Sequence, residues 1–355
     1  MFNQLKMLFI TLLCGVVAGW VLSQFQVPAP YMLGSLFGAW WLGKQAFSFL
    51  PKLGVPRWFH VAVILGISTM MGAAFSPDMS EHLVLWGGTV LAMLGATVLA
   101  TMGGYLYLTR VRGYESPLAL LCSLPGGQAE VVAISRDLVE KDYVVAFCHL
   151  VRVVVVVCLI PLLLVFSEGS AGVTASYVSL EKLPSVAELP LAIFLQYLGL
   201  SLGGFVLARW LRVPIPHLLG PLLVSSVAHL TGLVELPRVT EFIVLAQITI
   251  GGAVGARLSL VKTNELMGYF HDALVNTLIV ISVYCLVAVS LAFFGGMELM
   301  ELVLAFIPGG LYEVTVLALL FGFDVAFVAF HHTVRVLVIF LCLPVVGRFL
   351  GGGRS

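Results

Sequence analysis

The residues best suited to chemistry come in pairs. Pro125-Gly126-Gly127 is followed by Gln128 and Glu130, and Pro308-Gly309-Gly310 by Tyr312 and Glu313. Proline ends an incoming helix, and glycine, lacking Cβ, lets a ligand approach the backbone closely. A helix restarting near Gln128 or Leu311 would offer free N–H groups and a partial positive charge to an anion. Glu130 and Glu313 read either as residues closing the start of that half-helix, in the manner of a capping box, or as ligands for a substrate or ion. Arg152 and Arg335 lie deep inside apolar runs. An arginine at the bilayer centre costs about 2.5–3.5 kcal/mol even on the lenient insertion scale, so each must face a partner or a wet cavity. An ion pair with Glu130 or Glu313 and direct substrate binding are both open. His149 and His332 precede the arginines by three residues and so share their helix face. They suit either a hydrogen-bonded packing role or proton exchange near neutral pH. His331 is matched by Cys148 and reads as a packing or lipid-edge residue.

What must position these groups is a membrane. The chain is 60% apolar and 10% charged, with a mean hydropathy of +1.08. Soluble domains carry about a quarter charged residues, so too few charges exist here to cover a soluble globule. Apolar runs of about 18 residues or more recur throughout, long enough to cross the hydrocarbon core. Net charge is zero and no long basic run occurs, which argues against a nucleic-acid partner. Six cysteines lie in apolar segments, without a CxxC pair or a Cys/His cluster, and read as small buried hydrophobes. Lys6 followed by an apolar run to Leu22 could pass for a signal peptide. A counterpart in the second half makes it the first span instead.

That counterpart belongs to an internal duplication. Val27-Pro28-Ala29-Pro30-Tyr31-Met32-Leu33-Gly34 recurs as Val213-Pro214-Ile215-Pro216-His217-Leu218-Leu219-Gly220. Two prolines two apart keep the chain extended before a helix, and Gly34 and Gly220 permit close helix contact. One spacing separates Pro125 from Pro308, His149 from His332, Arg152 from Arg335 and Pro161 from Pro344, so no gap intervenes. Gly251-Gly252-Ala253-Val254-Gly255 reads as helix packing, since no strand precedes it for a dinucleotide fingerprint. Charge counting sets the orientation. With a cytoplasmic N-terminus and spans at 7–25, 31–49, 58–76 and 83–108, segment 116–139 is re-entrant and 142–166 crosses outward. The second copy then runs the opposite way, with spans at 190–208, 216–234, 240–257 and 271–295, a re-entrant segment at 298–323 and a last span at 325–347. Of the 18 Lys and Arg, 14 fall on the cytoplasmic side or at the cytoplasmic ends of spans, Lys182 and Arg238 fall outside, and Arg152 and Arg335 lie deep within spans. The fold expected is an all-α polytopic membrane protein of two inverted repeats, each of about five transmembrane helices plus one broken, re-entrant helix. Repeat 1 covers 1–166, a periplasmic linker 167–189 and repeat 2 190–350.

Inverted repeats with broken helices characterise many secondary transporters, whose sites lie at mid-membrane where the copies meet. The candidate substrate and ion site therefore comprises Gly126, Gly127, Gln128, Glu130, His149 and Arg152 with Gly309, Gly310, Tyr312, Glu313, His332 and Arg335. The unequal pairs Gln128/Leu311 and Ala129/Tyr312 imply that one half binds more than the other.

The two Pro-Gly-Gly-x-x-Glu-Val segments, the His/Arg pairs and the Val-Pro-x-Pro-x-x-Leu-Gly segments together resemble the AbrB family of bacterial inner-membrane proteins, over nearly the whole chain. The resemblance implies a duplicated membrane domain, and labels attached to that family include a regulator of gene expression, an ammonia-monooxygenase-like protein and a transporter. No stretch longer than the 167–189 linker is polar enough for a DNA-binding domain, and no ligand-spaced cluster suits a metal oxygenase. The expectation is a secondary carrier of a small anionic solute coupled to H⁺ or Na⁺, with no enzymatic activity, cofactor or metal. The alternative is a membrane-embedded regulator or sensor without transport. Expected partners are the solute, its coupling ion and the bilayer, with a homodimer as the candidate assembly. The expected location is the bacterial inner membrane, with both termini cytoplasmic.

Overall fold

The computed structural model describes residues 2–45, 52–126, 131–132, 135–136, 138–261 and 263–351. Every regular element among them is helical. Among the described residues, seven helices are long and apolar enough to cross a membrane. They are α1 (Phe2–Gln24), α4 (Ser80–Leu106, continued by a π turn at Tyr107–Val111), the first part of α6 (Asp142–Glu181), α7 (Leu191–Trp210), α9 (Thr240–Ser259), α10 (Thr263–Gly295) and α13 (Val325–Gly351).

Three expected spans are shorter helices. α2 (Pro30–Lys44), α3 (Arg57–Gly72) and α8 (Pro216–Leu230) hold 15, 16 and 15 residues. At 1.5 Å per residue that is about 23 Å, against roughly 30 Å of hydrocarbon. Their starts explain part of the shortening. Ala29 and Ile215 adopt left-handed backbone (φ 48° and 46°), and the next residue, a proline, opens the helix. Much of each helix is buried in protein, where lipid thickness does not set length: Met32, Leu33, Leu36 and Ala39 of α2, and Leu218, Leu219 and Leu222 of α8.

The segment expected as a linker is largely helical. α6 consists of two helical pieces meeting at Gly169 (φ 66°) and runs to Glu181. A single 3₁₀ turn at Val186–Glu188 follows, capped by Ser185. This stretch is tied to the start of α9: Ser185 Oγ and the Val186 amide donate to the Glu241 carboxylate at 2.5 and 3.0 Å, and Thr240 Oγ1 donates to the Leu180 carbonyl at 3.1 Å.

The chain gathers into two compact units, each drawing on both sequence copies. The first holds residues 1–84, 160–261 and 315–326; the second holds 85–159, 262–314 and 327–355. In the first unit the third helices are exchanged. α2 packs on α1 and on α9 of the other copy, while α8 packs on α7 and on α3. Small residues make these contacts close. A Cβ on Gly34 would strike the backbone of Ala18 and Gly19, and one on Gly220 the backbone of Gly204. Gly255 of α9 closes on the Leu36 carbonyl, as Gly72 of α3 closes on that of Leu222. Ser35 Oγ donates to the Gln247 carbonyl (3.3 Å) and Ser225 Oγ to that of Thr69 (2.8 Å), so each exchanged helix is also hydrogen-bonded to its host.

Candidate functional site

The second unit contains both helix breaks. α5 (Ser116–Ser123) and α11 (Leu299–Phe306) are eight-residue half-helices. Each stops where the sequence requires. Leu124 and Ile307 precede a proline and take extended backbone, with ψ 124° and 135°. Gly126 follows at φ 113°, a region closed to residues with a Cβ. After Pro308 the chain resumes as α12 (Leu311–Phe321), whose first bond runs from the Val314 amide to the Gly310 carbonyl. Gly310 is thus the N-cap and Glu313 the third helical residue. The buried Glu313 carboxylate folds back onto Gly310, leaving no room for a Cβ there. That is the place the glutamate of a capping box takes, with glycine standing where the box has Ser or Thr.

Helices ending inside a membrane leave carbonyls that neither water nor a further turn can satisfy. Here the His/Arg pairs satisfy them. Arg152 donates from Nη2 to the Cys122 carbonyl (2.7 Å) and from Nη1 to that of Leu124 (2.5 Å), while His149 Nε2 meets that of Leu121 (3.0 Å). In the second copy Arg335 donates to the carbonyls of Phe306 (2.6 Å) and Ile307 (3.1 Å), and His332 Nε2 meets that of Leu304 (2.9 Å). A guanidinium is a planar fork of donors with a fixed charge, suited to the negative end of a helix. Arg335 Nη2 also lies 2.9 Å from His332 Nδ1. Arginine can only donate, so Nδ1 accepts and the proton sits on Nε2, directed at Leu304. His332 is held there as a neutral ring.

Both guanidinium groups are buried, and among the described residues the Nε atom of each has no hydrogen-bond partner. A Cβ on Gly126 would stand 3.7 Å from Arg335 Nε, so the first copy's break faces the second copy's arginine. Gly309 lies against Val156 of α6, so the second break faces the first copy's helix. The Arg335 guanidinium rests 5.6 Å from the centre of the Tyr284 ring, whose hydroxyl is 2.7 Å from Thr97 Oγ1. The arrangement concentrates positive charge and uncommitted N–H groups beside glycine-lined backbone, which suits an anion.

The structure therefore brings Gly126, His149, Arg152, Gly309, Gly310, Glu313, His332 and Arg335 into one unit. Gly127, Gln128 and Glu130 lie outside the described residues, and Tyr312 is the second residue of α12. His331 is fully buried, bonded to Thr89 Oγ1 and the Phe327 carbonyl (both 2.8 Å) and stacked near Phe327, with ring centres 4.2 Å apart. It is a packing residue. Sequence reading passed over one face of α10. Asn276 Nδ2 donates to the Cys122 carbonyl (3.2 Å) and its Oδ1 accepts from Ser123 Oγ (3.3 Å). One turn earlier, Asp272 is paired with Arg112 Nε (2.5 Å) and accepts from the Tyr114 hydroxyl (3.1 Å), which anchors the segment leading into α5. Burial, and then the Asp272 charge, push the ionisation of Tyr114 up, so it remains a donor. The available signal was the four-residue spacing of Asp272, Asn276 and, two turns on, Tyr284 in an otherwise apolar helix.

Comparison with known proteins gives a consistent family. An uncharacterized protein of Bacillus subtilis (strain 168), YhjN, is 24% identical over 349 residues, covering 94% of this chain and 90% of its own length. A protein of Escherichia coli (strain K12) whose name puts it forward as a regulator, AbrB, is 24% identical over 338 residues, or 91% of this chain and 90% of its own. The family profile described as transition state regulatory protein AbrB matches residues 41–351. A duplicated helical chain whose breaks are capped by paired His and Arg residues is thus a member of the AbrB family.

Proposed function

We propose that this protein is a secondary transporter of the bacterial inner membrane, carrying a small anionic solute coupled to H⁺ or Na⁺. The observation that carries this reading is the meeting of two broken helices in one unit, each break held by a buried arginine whose Nε–H is uncommitted among the described residues. Backbone broken at membrane depth persists where it is buried in protein or lines a cavity, and paired breaks of this kind serve substrate and ion sites in carriers. In this reading the copies are inverted, both termini are cytoplasmic, and the protein performs no chemistry on its cargo. The arginines draw the anion to the breaks, the α12 N-terminus supplies further N–H groups, and Glu313 contributes charge beyond its capping role.

The test is uptake of radiolabelled small carboxylates into proteoliposomes under an imposed pH or Na⁺ gradient. Glu313→Gln keeps a capping side chain but removes the charge, and Arg335→Lys keeps the charge but removes the fork. Both are expected to abolish accumulation while the protein stays monodisperse in detergent. Undiminished uptake in both variants would sink the site. A second reading, a membrane regulator without flux, draws on the name of the Escherichia coli relative. Ligand binding to purified protein with no accumulation under any gradient would favour it.

A further inference from the structure

A second site lies in the first unit, apart from the helix breaks. A cavity of about 360 Å³ opens beside the start of α2, between the ends of α1 and α6 and the first two turns of α9. α9 contributes Thr240, Val244 and Gln247, which fall on one face at helical spacing. Gln247 is fully buried, and among the described residues neither its Nε2 nor its Oε1 has a hydrogen-bond partner. A buried amide with both ends uncommitted is costly, and packing does not demand one here. The matched closures of Gly72 on Leu222 and Gly255 on Leu36 set Gln247 of one copy against Ile64 of the other. The equivalent place in the same fold is served by an apolar side chain.

The rest of the cavity indicates what Gln247 would meet. At the α2 start Pro30 has no N–H, and the amides of Met32 and Leu33 both turn to the Ala29 carbonyl. The Tyr31 N–H, at the positive end of a 15-residue helix, has no acceptor among the described residues. Ser23 and Thr240 direct their hydroxyl protons to the carbonyls of Trp20 and Leu180, so each oxygen keeps acceptor capacity, Ser23 Oγ also taking Gln24 Nε2 at 3.4 Å. Leu180, Val244 and Leu320 supply an apolar wall. The lining carries donors and acceptors but no formal charge.

We infer that this cavity binds a small solute of zero net charge that carries both a donor and an acceptor on an apolar body, as an apolar α-amino acid or an aliphatic amide does. The carboxylate or amide oxygen is taken by Gln247 Nε2 and the Tyr31 N–H, and the ammonium or amide N–H by Gln247 Oε1 with the two hydroxyl oxygens. The experiment is equilibrium binding to the full chain in detergent, with leucine, isocaproamide and isocaproate as probes. Leucine or isocaproamide is expected to bind at least about tenfold more tightly than the anion isocaproate. Gln247→Ile, which installs the residue of the other copy, is expected to lose that binding by tenfold or more without lowering the thermal midpoint. Should that variant misfold, Val244→Trp fills the cavity from its wall and must abolish binding. Failure of both neutral probes to bind the native chain, preference for isocaproate, or undiminished binding in a folded variant would each overturn the proposal. The readout is binding of uncharged probes, so it stands or falls independently of anion transport at the helix breaks.

Discussion

Arg152 and Arg335 show how much of a residue's role depends on what its neighbours lack. By sequence alone both belong near the membrane centre and call for a carboxylate or a substrate. The structure answers first with carbonyls, because a half-helix ending in the buried interior creates several acceptors that no pattern of side-chain types reveals. Hydrogen bonds to a charged group contribute about 1.5–3 kcal/mol each, so lysine at either position, which cannot reach two carbonyls as a rigid fork, should destabilise the protein by a few kcal/mol. Thermal unfolding in detergent would read this as a lowered midpoint in Arg152→Lys and Arg335→Lys alike. Gly126→Ala forces a Cβ into φ 113° and is expected to cost about 1–3 kcal/mol by the same assay. Arg112→Ala should be worse than a surface substitution, since it leaves the carboxylate of Asp272, 4% exposed, to Tyr114 and to the exposed His271 ring 3.6 Å away. With Arg112 itself 41% exposed, about 2 kcal/mol is expected rather than the 3–5 of a fully buried pair.

At the scale of elements, the breaks were the most legible feature. Proline followed by two glycines, met twice with one spacing, located the ends of α5 and α11 because pre-proline sterics are local. The short helices were less legible. α2, α3 and α8 carry hydropathy like that of a span, yet burial against other helices frees them from bilayer thickness, and which helices they meet depends on residues far away in sequence. The packing of α9 on α2 rests on Gly251 and Gly255, whose glycines announced close contact without naming the partner. Replacing Pro125 and Pro308 together by alanine would let each half-helix run on toward its sequel. Expected is loss of solute uptake with insertion and detergent stability retained, read in proteoliposomes beside a thermal scan. Full uptake in that variant would mean that the breaks are not the site.

Across the whole molecule, the duplication was visible in sequence, while the composition of the two compact units was not. Each unit draws on both copies, a consequence of tertiary packing that a linear comparison cannot display. Orientation is open to direct test. Glu115 and Glu298 occupy matched positions before α5 and α11 and are exposed. Single cysteines there, in a chain cleared of its six native ones, should react with an impermeant reagent from opposite faces of the membrane if the copies are inverted. Labelling from the same face would make them parallel.

The exchange of α3 and α9 also has a bearing on time. α2 leaves the ribosome long before α9, its principal neighbour, has been made. Roughly 200 residues separate them, and at about 5–20 residues per second the wait lasts on the order of ten to forty seconds. Throughout it the face of α2 that will meet Gly251 and Gly255, with Ser35 upon it, must be sheltered by lipid or by the insertion machinery. α3 waits in its turn for α8. A nascent chain stalled before α9 should therefore be a ready substrate for membrane proteases, and release of α9 should end that vulnerability abruptly.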